Sequence, residues 1–223
     1  MKPVDILSAH PLFSGLDTEA LERLCLACVA QHYAAGETVF LQGDPCKGLY
    51  IVREGWVKGI ITSLLGREQI IFLLRPGDIF NEIGLLTDGG NMVTTQALEE
   101  TTLWIIQRKT MLQLMDEHPR LSRAISQSIA ERVLQLMKLV EDLSLRTVKS
   151  RMARIMLENS VEGMINRRRW MTQTEMAARL GTVLDVANRT LNSLEADRLI
   201  SVSRFEIQIL DRKKLEELAS IEE

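Results

Sequence analysis

The chain has 223 residues, of which 46% are hydrophobic, and its 27 Lys/Arg against 30 Asp/Glu give a formal net charge of −3. That length buries a sizeable core and accommodates two domains. No apolar run approaches the length of a bilayer span, and residues 1–9 lack the basic-then-apolar layout of a signal peptide, so a cytoplasmic protein with no membrane partner is expected. Three cysteines, Cys25, Cys28 and Cys46, are an odd number, which argues against a structural disulfide framework and for reduced thiols.

Taken in chain order, a helical opening is predicted to end near Tyr33. Within it Leu21, Leu24, Cys25 and Cys28 form one apolar stripe, so the CxxC pair reads as core, with a redox pair as the alternative. From residue 36 to 108 short apolar stretches are punctuated by Gly36, Gly43, Gly48, Gly55, Gly66, Gly77 and Gly84, a spacing that signals an antiparallel roll or barrel. Strands are predicted over 38–41, 49–52, 57–62, 69–74, 93–97 and 102–107, short as a jelly roll requires.

A long helix is predicted from about Pro119 to Leu145, a stretch with no internal Gly or Pro. Ile129, Val133, Leu136, Val140 and Leu143 fall at alternating spacings of 4 and 3, which is a coiled-coil seam along which two copies pair. A second apolar stripe through Leu134, Met137 and Leu145 is expected to be covered by the chain's own β-roll; a buried monomeric helix is the alternative. Thr147 marks a hinge and caps a new helix over 148–159.

The stretch 172–200 reads as a helix-turn-helix. Thr172 and Glu175 form a capping box, Met176 and Leu180 recur at i and i+4 around a small Ala177, and Gly181 opens a tight turn. A second helix over about 184–196 is expected to bury Val186, Thr190, Leu191 and Leu194 and to turn Asp185, Asn188, Arg189 and Asn192 outward. In a major groove, Arg189 suits guanine O6/N7 and Asp185 suits cytosine N4. An ordinary helical hairpin with a solvated polar face is the bland alternative.

The flanks favour DNA. Arg167, Arg168 and Arg169 precede the first helix within reach of phosphates, and 199–210 alternates as two strands around Arg204 and Phe205, the wing of a winged helix, before Asp211 caps a last helix. Residues 144–214 carry 14 Lys/Arg against 8 Asp/Glu, whereas residues 1–143 carry 13 against 18, so basicity is concentrated where the motif lies. For Arg151 and Arg154 the alternative is decoration of a solvated helix. Candidate DNA contacts are Asp185, Asn188, Arg189, Thr172, Gln173, Arg169 and Arg204.

PLFSGL at 11–16, AAGETVFLQGD at 34–44, LYIVREGWVK at 49–58 and RPGDIFNEIGLL at 75–86 resemble the cyclic AMP receptor protein/FNR (CRP/FNR) superfamily of bacterial regulators, over nearly the whole chain and in the family's order. The resemblance implies an α+β architecture: an N-terminal double-stranded β-helix (jelly-roll, cyclic-nucleotide-binding-like) domain over 1–118, a dimerisation helix over 119–145 and a C-terminal winged helix-turn-helix over 146–223. It further implies a homodimeric transcription regulator on a pseudo-palindromic operator in double-stranded DNA, with RNA polymerase as a partner.

In cyclic-nucleotide-binding members, the segment matching 80–95 is a phosphate cassette with a small residue and Glu at its start and an Arg-Ser pair at its end. Here the start is Asn81 and Glu82, and the pair is replaced by Met92 and Val93, with no other Lys or Arg between Arg75 and Arg108. The positions that would meet a purine are Leu136 and Met137. An uncompensated phosphate there costs several kcal/mol, so cyclic AMP is not expected as the effector; a cyclic-nucleotide-responsive regulator is the alternative.

An iron–sulfur cluster needs four thiolates and is not expected. Haem stays open, with His10, His32, His118 and the thiols as axial candidates, the histidines not diagnostically placed, as do an apolar ligand and a pocket packed shut. A cupin-like metalloenzyme, the rival from another class, needs clustered metal ligands, and no histidine lies between residues 36 and 108. A pure interaction protein would leave the basic flank and wing as surplus features.

Overall fold

Helix starts and stops follow local chemistry in the computed structural model, which describes residues 3–87 and 90–220. After α1 (Pro3–Ala9), the Asp17 carboxylate accepts the Ala20 N–H at 2.9 Å and starts α2 (Thr18–Ala27). The opening helix stops earlier than the sequence pattern suggests. At Cys28 the backbone turns extended (φ −80°, ψ 117°) and β1 (Cys28–Tyr33) pairs antiparallel with β8 (Thr101–Gln107), from Cys28↔Ile106 to Tyr33↔Thr101. Cys28 and His32 therefore lie in a strand and not in a helix. The β1 side chains are mostly exposed, so the alternation that marks a half-buried strand is absent from it.

The six strands expected from pattern all form: β2 (Thr38–Phe40), β3 (Gly48–Glu54), β4 (Val57–Thr62), β5 (Glu68–Leu74), β7 (Thr94–Ala97) and β8, with the two-residue β6 (Ile79–Phe80) in addition. They build two four-stranded sheets, ordered β1-β8-β3-β6 and β2-β7-β4-β5. Alternation along β3 and β8 sends side chains to two cores. Tyr50, Val52, Leu103 and Ile105 join Phe40, Leu74 and Phe80 inside the roll. Leu49, Ile51, Trp104 and Ile106 instead pack beneath the helices against Leu7, Phe13, Leu24, Met111, Leu121 and Ile125. Cys25 and Cys28 pack against the latter core, and burial pushes both thiols up, Cys28 to about 12. Gly59 in β4 has no room for a side chain, because a Cβ would stand 2.2 Å from the Phe72 ring.

After α3 (Glu82–Leu86) and α4 (Arg108–Glu117), α5 runs Pro119–Leu145, the bounds its sequence predicts. Leu121 and Ile125 are buried, and Ile129 packs against the same core, so Ile129 belongs to the roll and is not a free seam position. Val133, Leu136, Val140 and Leu143 are exposed, and so are Leu134, Met137 and Leu145. The second stripe, expected to be covered, is thus exposed along α5.

The remainder is a winged helix: α6 (Val148–Asn159), β9 (Met164–Asn166), α7 (Gln173–Leu180), α8 (Leu184–Ala196), β10 (Ile200–Val202), β11 (Glu206–Ile209) and α9 (Arg212–Ala219), with the sheet ordered β10-β11-β9. Met152, Met156, Ile165, Leu180, Leu194, Ile200, Ile207 and Leu215 form its core. The fold is α+β, with a β-roll, a long helix and a winged helix-turn-helix in the expected order. Contacts divide the chain into two compact units, residues 1–61 with 71–136 and residues 62–70 with 137–223.

Arg151 and Arg154 are not loose decoration. Arg154 Nη1 lies 2.7 Å from Asp142 Oδ1, Arg146 Nε lies 2.9 Å from the same oxygen, and Arg151 Nη1 donates to the carbonyls of Asp142 and Arg146 at 3.2 and 2.9 Å. Thr147 accepts the Ser150 N–H at 3.1 Å and caps α6. Replacing Asp142 by Ala should therefore lower the unfolding free energy by about 2 kcal/mol, since guanidiniums bonded to it lose a largely buried partner. Glu141→Ala, which removes an exposed contact to Arg146 at 3.6 Å, should cost under about 0.5 kcal/mol. Urea midpoints measure both, and equal losses would show that Asp142 is no more than a surface partner.

Candidate nucleic-acid interface

The helix-turn-helix is built from α7, a glycine turn and α8. Thr172 Oγ1 accepts the Glu175 N–H at 3.2 Å, while the Thr172 N–H donates to Trp170 O at 2.8 Å. The Thr172 half of the expected capping box forms, and its own amide is satisfied by the loop. Gly181 ends α7 in the left-handed region (φ 66°, ψ 37°), and its N–H and that of Thr182 both return to Ala177 O, the turn that glycine makes without strain. Ala177 and Ala178 of α7 and Ala187 of α8 are buried, so small side chains let the two helices cross closely.

Of the residues expected to face outward on α8, Asp185, Arg189 and Asn192 are exposed. Asp185 also sits in the first helical turn, where a carboxylate complements the helix dipole. Asn188 departs from the expectation. It is half-buried and, with Thr172, Gln173, Met176 and Leu191, lines a small cavity between α7 and α8; its Oδ1 is buried without a hydrogen-bond partner among the described residues. The reason is angular: Asn188 follows buried Ala187 and precedes Leu191 by three positions, which places it on the shoulder of the packed stripe. Val186 and Thr190 are half-buried, and the Thr190 hydroxyl donates to Val186 O at 2.7 Å.

Beside this surface lies an arginine-lined cleft of about 580 Å³, formed by Arg167, Arg168, Arg169, Met171, Thr172, Arg204 and Phe205. Arg168, Arg169 and Arg204 are exposed, as are Thr172 and Gln173 at the start of α7. Arg167 differs from the other three. It is half-buried, and Nη1 donates to Ser203 O at 3.1 Å while its main-chain N–H donates to Phe205 O at 2.7 Å, so it holds the wing tip in place. The exposed guanidiniums present donors that match phosphate oxygens.

The β-roll holds a second candidate site, a cavity of about 100 Å³. Asn81, Glu82, Met92, Val93 and Leu136 line it together with Phe40, Phe72, Phe80 and Arg132, whereas Met137 is 63% exposed and is not part of the lining. Asn81 is left-handed (φ 77°), and its amide donates to Gly48 O at 3.2 Å and Asn91 Oδ1 at 2.9 Å, so it shapes the cassette backbone. Glu82 is buried and accepts from Ser128 Oγ at 2.8 Å.

Among the described lining residues the cavity has a cation that lies outside residues 75–108. Arg132 of α5 reaches the cavity: its Nε is 3.9 Å from Glu82 Oε1, its Nη2 donates to Ile79 O at 2.6 Å, and its guanidinium lies 5.8 Å from the Phe72 ring centroid. Among the haem candidates, the His10 Nδ1 accepts the Leu12 N–H at 3.1 Å, and burial is the main cause of its lowered pKa. On β1, His32 Nδ1 lies 2.9 Å from the Thr102 hydroxyl of β8, and His118 precedes α5. None of the three is among the described residues lining the cavity.

Residues 30–118 match the cyclic nucleotide-binding domain family, and residues 150–218 match the Crp-like helix-turn-helix domain family. The chain is similar to the cyclic AMP receptor protein of Thermus thermophilus, with 27% identity over 213 residues covering 96% of this chain and 98% of that one. It is also similar to the HTH-type transcriptional regulator Cmr of Mycobacterium tuberculosis, with 28% identity over 185 residues, 83% of this chain and 74% of that one. Among solved structures, a Eubacterium rectale protein assigned to the CRP/FNR family superposes with a TM-score of 0.77 at 27% identity, covering 94% of this chain and 97% of that one. With both family domains in order on either side of the long helix, the chain belongs to the CRP/FNR family of DNA-binding transcription regulators.

Proposed function

We propose that the protein works as a homodimer that lays two copies of α8 into successive major grooves of a pseudo-palindromic operator. The observation that carries this reading is the run of exposed Asp185 and Arg189 on α8 beside the cleft of Arg168, Arg169 and Arg204. Arg189 and Asp185 read base edges; Arg168, Arg169, Arg204, Thr172 and Gln173 hold the phosphate backbone. Asn188 contributes by setting the packing of α8 on α7. Dimerisation runs along α5, where Val133, Leu136, Val140 and Leu143 are exposed at coiled-coil spacing. Exposed Leu134 and Met137 widen that apolar face.

In this reading residues 1–118 sense, 119–145 pair the subunits and 146–223 bind DNA, so that the state of the roll is transmitted through paired helices to the spacing of the two recognition helices. The protein acts in the cytoplasm with RNA polymerase as a partner and has no enzymatic role, in keeping with relatives that are transcription regulators. A cyclic nucleotide is not its effector. The cavity of about 100 Å³ is well below the roughly 300 Å³ at which ligand pockets begin. Arg132 does not stand ready for a phosphate either, because Ile79 O, Glu82 and the Phe72 ring already engage it.

Three measurements test these statements. Arg189→Ala should weaken specific binding by about 1 to 3 kcal/mol and relax discrimination at one base pair, whereas Arg169→Ala should weaken all sequences alike and reduce the salt slope by about 1; an unchanged operator affinity for Arg189→Ala in a titration at fixed salt removes it from the readout. Val140→Glu should convert a dimer to a monomer in sedimentation equilibrium, because a buried seam position cannot hold an unpaired carboxylate. Titration calorimetry with cyclic AMP and cyclic GMP should give no binding heat, and saturable heat with either would establish the cyclic-nucleotide-responsive alternative.

A further inference from the structure

The wing tip carries an aromatic side chain that attraction to phosphate does not require. Phe205 is 69% exposed, and a lone exposed ring has no meaning by itself. This one is fixed and accompanied. Ser203 Oγ accepts the N–H groups of Phe205 and Glu206 at 3.4 and 3.1 Å, Arg167 Nη1 donates to Ser203 O, and the Arg167 N–H donates to Phe205 O. The backbone of the tip is thus held from inside the turn and from the loop before α7. The guanidinium of Arg204 lies 5.3 Å from the Phe205 ring centroid, so a cation and a ring are presented as a unit.

Their position follows from the two concave surfaces. Thr172 lines both the arginine cleft and the small cavity beneath Asn188, so α8, the start of α7 and the wing tip succeed one another along one continuous face. With α8 in a major groove, the next feature of the duplex along that face is the phosphate strand bounding the groove, met by Arg168 and Arg169. Beyond that strand lies the minor groove.

We propose that Arg204 and Phe205 form a minor-groove reader that selects the base pairs flanking each half-site. A narrow, A·T-rich minor groove concentrates negative potential and draws in arginine. Apolar side chains, phenylalanine among them, wedge between base steps there and kink the duplex, at least cost where a pyrimidine–purine step is easily unstacked. Both residues therefore favour one flank chemistry, A·T pairs containing a TA step. The inference rests on the reading of α8 as a major-groove helix.

A duplex selected from a random library by the full-length protein supplies the central site for the test. Two versions share that site and differ only outside it, one flanked by A·T pairs with a TA step and the other by G·C pairs. At fixed salt the protein should bind the A·T-flanked duplex roughly 5- to 20-fold more tightly. Arg204→Ala and Phe205→Ala should each bring that ratio towards one while retaining the central site, and Phe205→Leu, which keeps an apolar wedge, should preserve most of it. Equal binding of the two duplexes by the unsubstituted protein, or a ratio that neither alanine variant changes, overturns the proposal. Failure to retain any duplex from the library would instead remove the DNA-binding reading, and the flank reader with it.

Discussion

The carboxylate of Asp142 is the constraint on which the geometry of the DNA-binding half depends. One oxygen faces Arg146 and Arg154 at 2.9 and 2.7 Å, and Arg151 bonds the carbonyl of Asp142 in the last turn of α5 and that of Arg146 just beyond its end. A helix end leaves its final C=O groups without partners and carries partial negative charge, so cations gathered there satisfy both demands. The next helix begins after the single residue Arg146 and its Thr147 cap. With one helix end closed by Arg151 and the following start closed by Thr147, the short connection between α5 and α6 has little backbone left to vary. Arg146, only 9% exposed at its side chain, also donates to Ala219 O at the end of α9, which ties the last helix to the same junction.

The opposite half of α5 uses a different arrangement for a similar purpose. Leu121, Ile125 and Ile129 supply apolar packing against the roll, and Ser128 and Arg132 meet the buried Glu82 at the cassette. Burying a carboxylate is costly unless it is hydrogen-bonded and paired, and both partners come from the helix. The cassette and the helix therefore hold each other: a ligand that displaced Arg132 from Ile79 O or altered Glu82 would disturb a contact of α5 directly. That is a physical route from a pocket to a helix, expressed in bonds that can be removed one at a time.

Much of this was legible in the sequence because local signals agreed. The long helix was bounded by Pro119 and by Thr147 with no glycine between, and the glycine turn at 181 separated two periodic segments. Where signals were weak, the pattern failed for identifiable reasons. β1 continues the apolar stripe of α2 and exposes most of its side chains, so only pairing with β8 makes it a strand. β6 and β9, of two and three residues, are too short for periodicity. Arg132 is not visible in the sequence of the cassette because it arrives from a helix some 50 residues on. Asn188 is half-buried by its place beside the packed stripe and Arg167 by its bonds to the wing, and polarity alone could not distinguish them from the exposed Arg189 and Arg169.

The charge distribution explains how a chain of net charge −3 is suited to a polyanion. Phosphate responds to local potential, which at physiological salt decays over about 8 Å, so acidic surface further away hardly weakens a basic cleft. Residues 1–143 carry the acidic excess and residues 144–214 the basic one. Within the basic part a further division holds. Arg146, Arg151, Arg154 and Arg167 are half-buried or buried side chains engaged by the fold, whereas Arg168, Arg169, Arg189 and Arg204 are exposed on the surface. Burial and partners, more than the number of arginines, separate the residues that build the reading head from those that read.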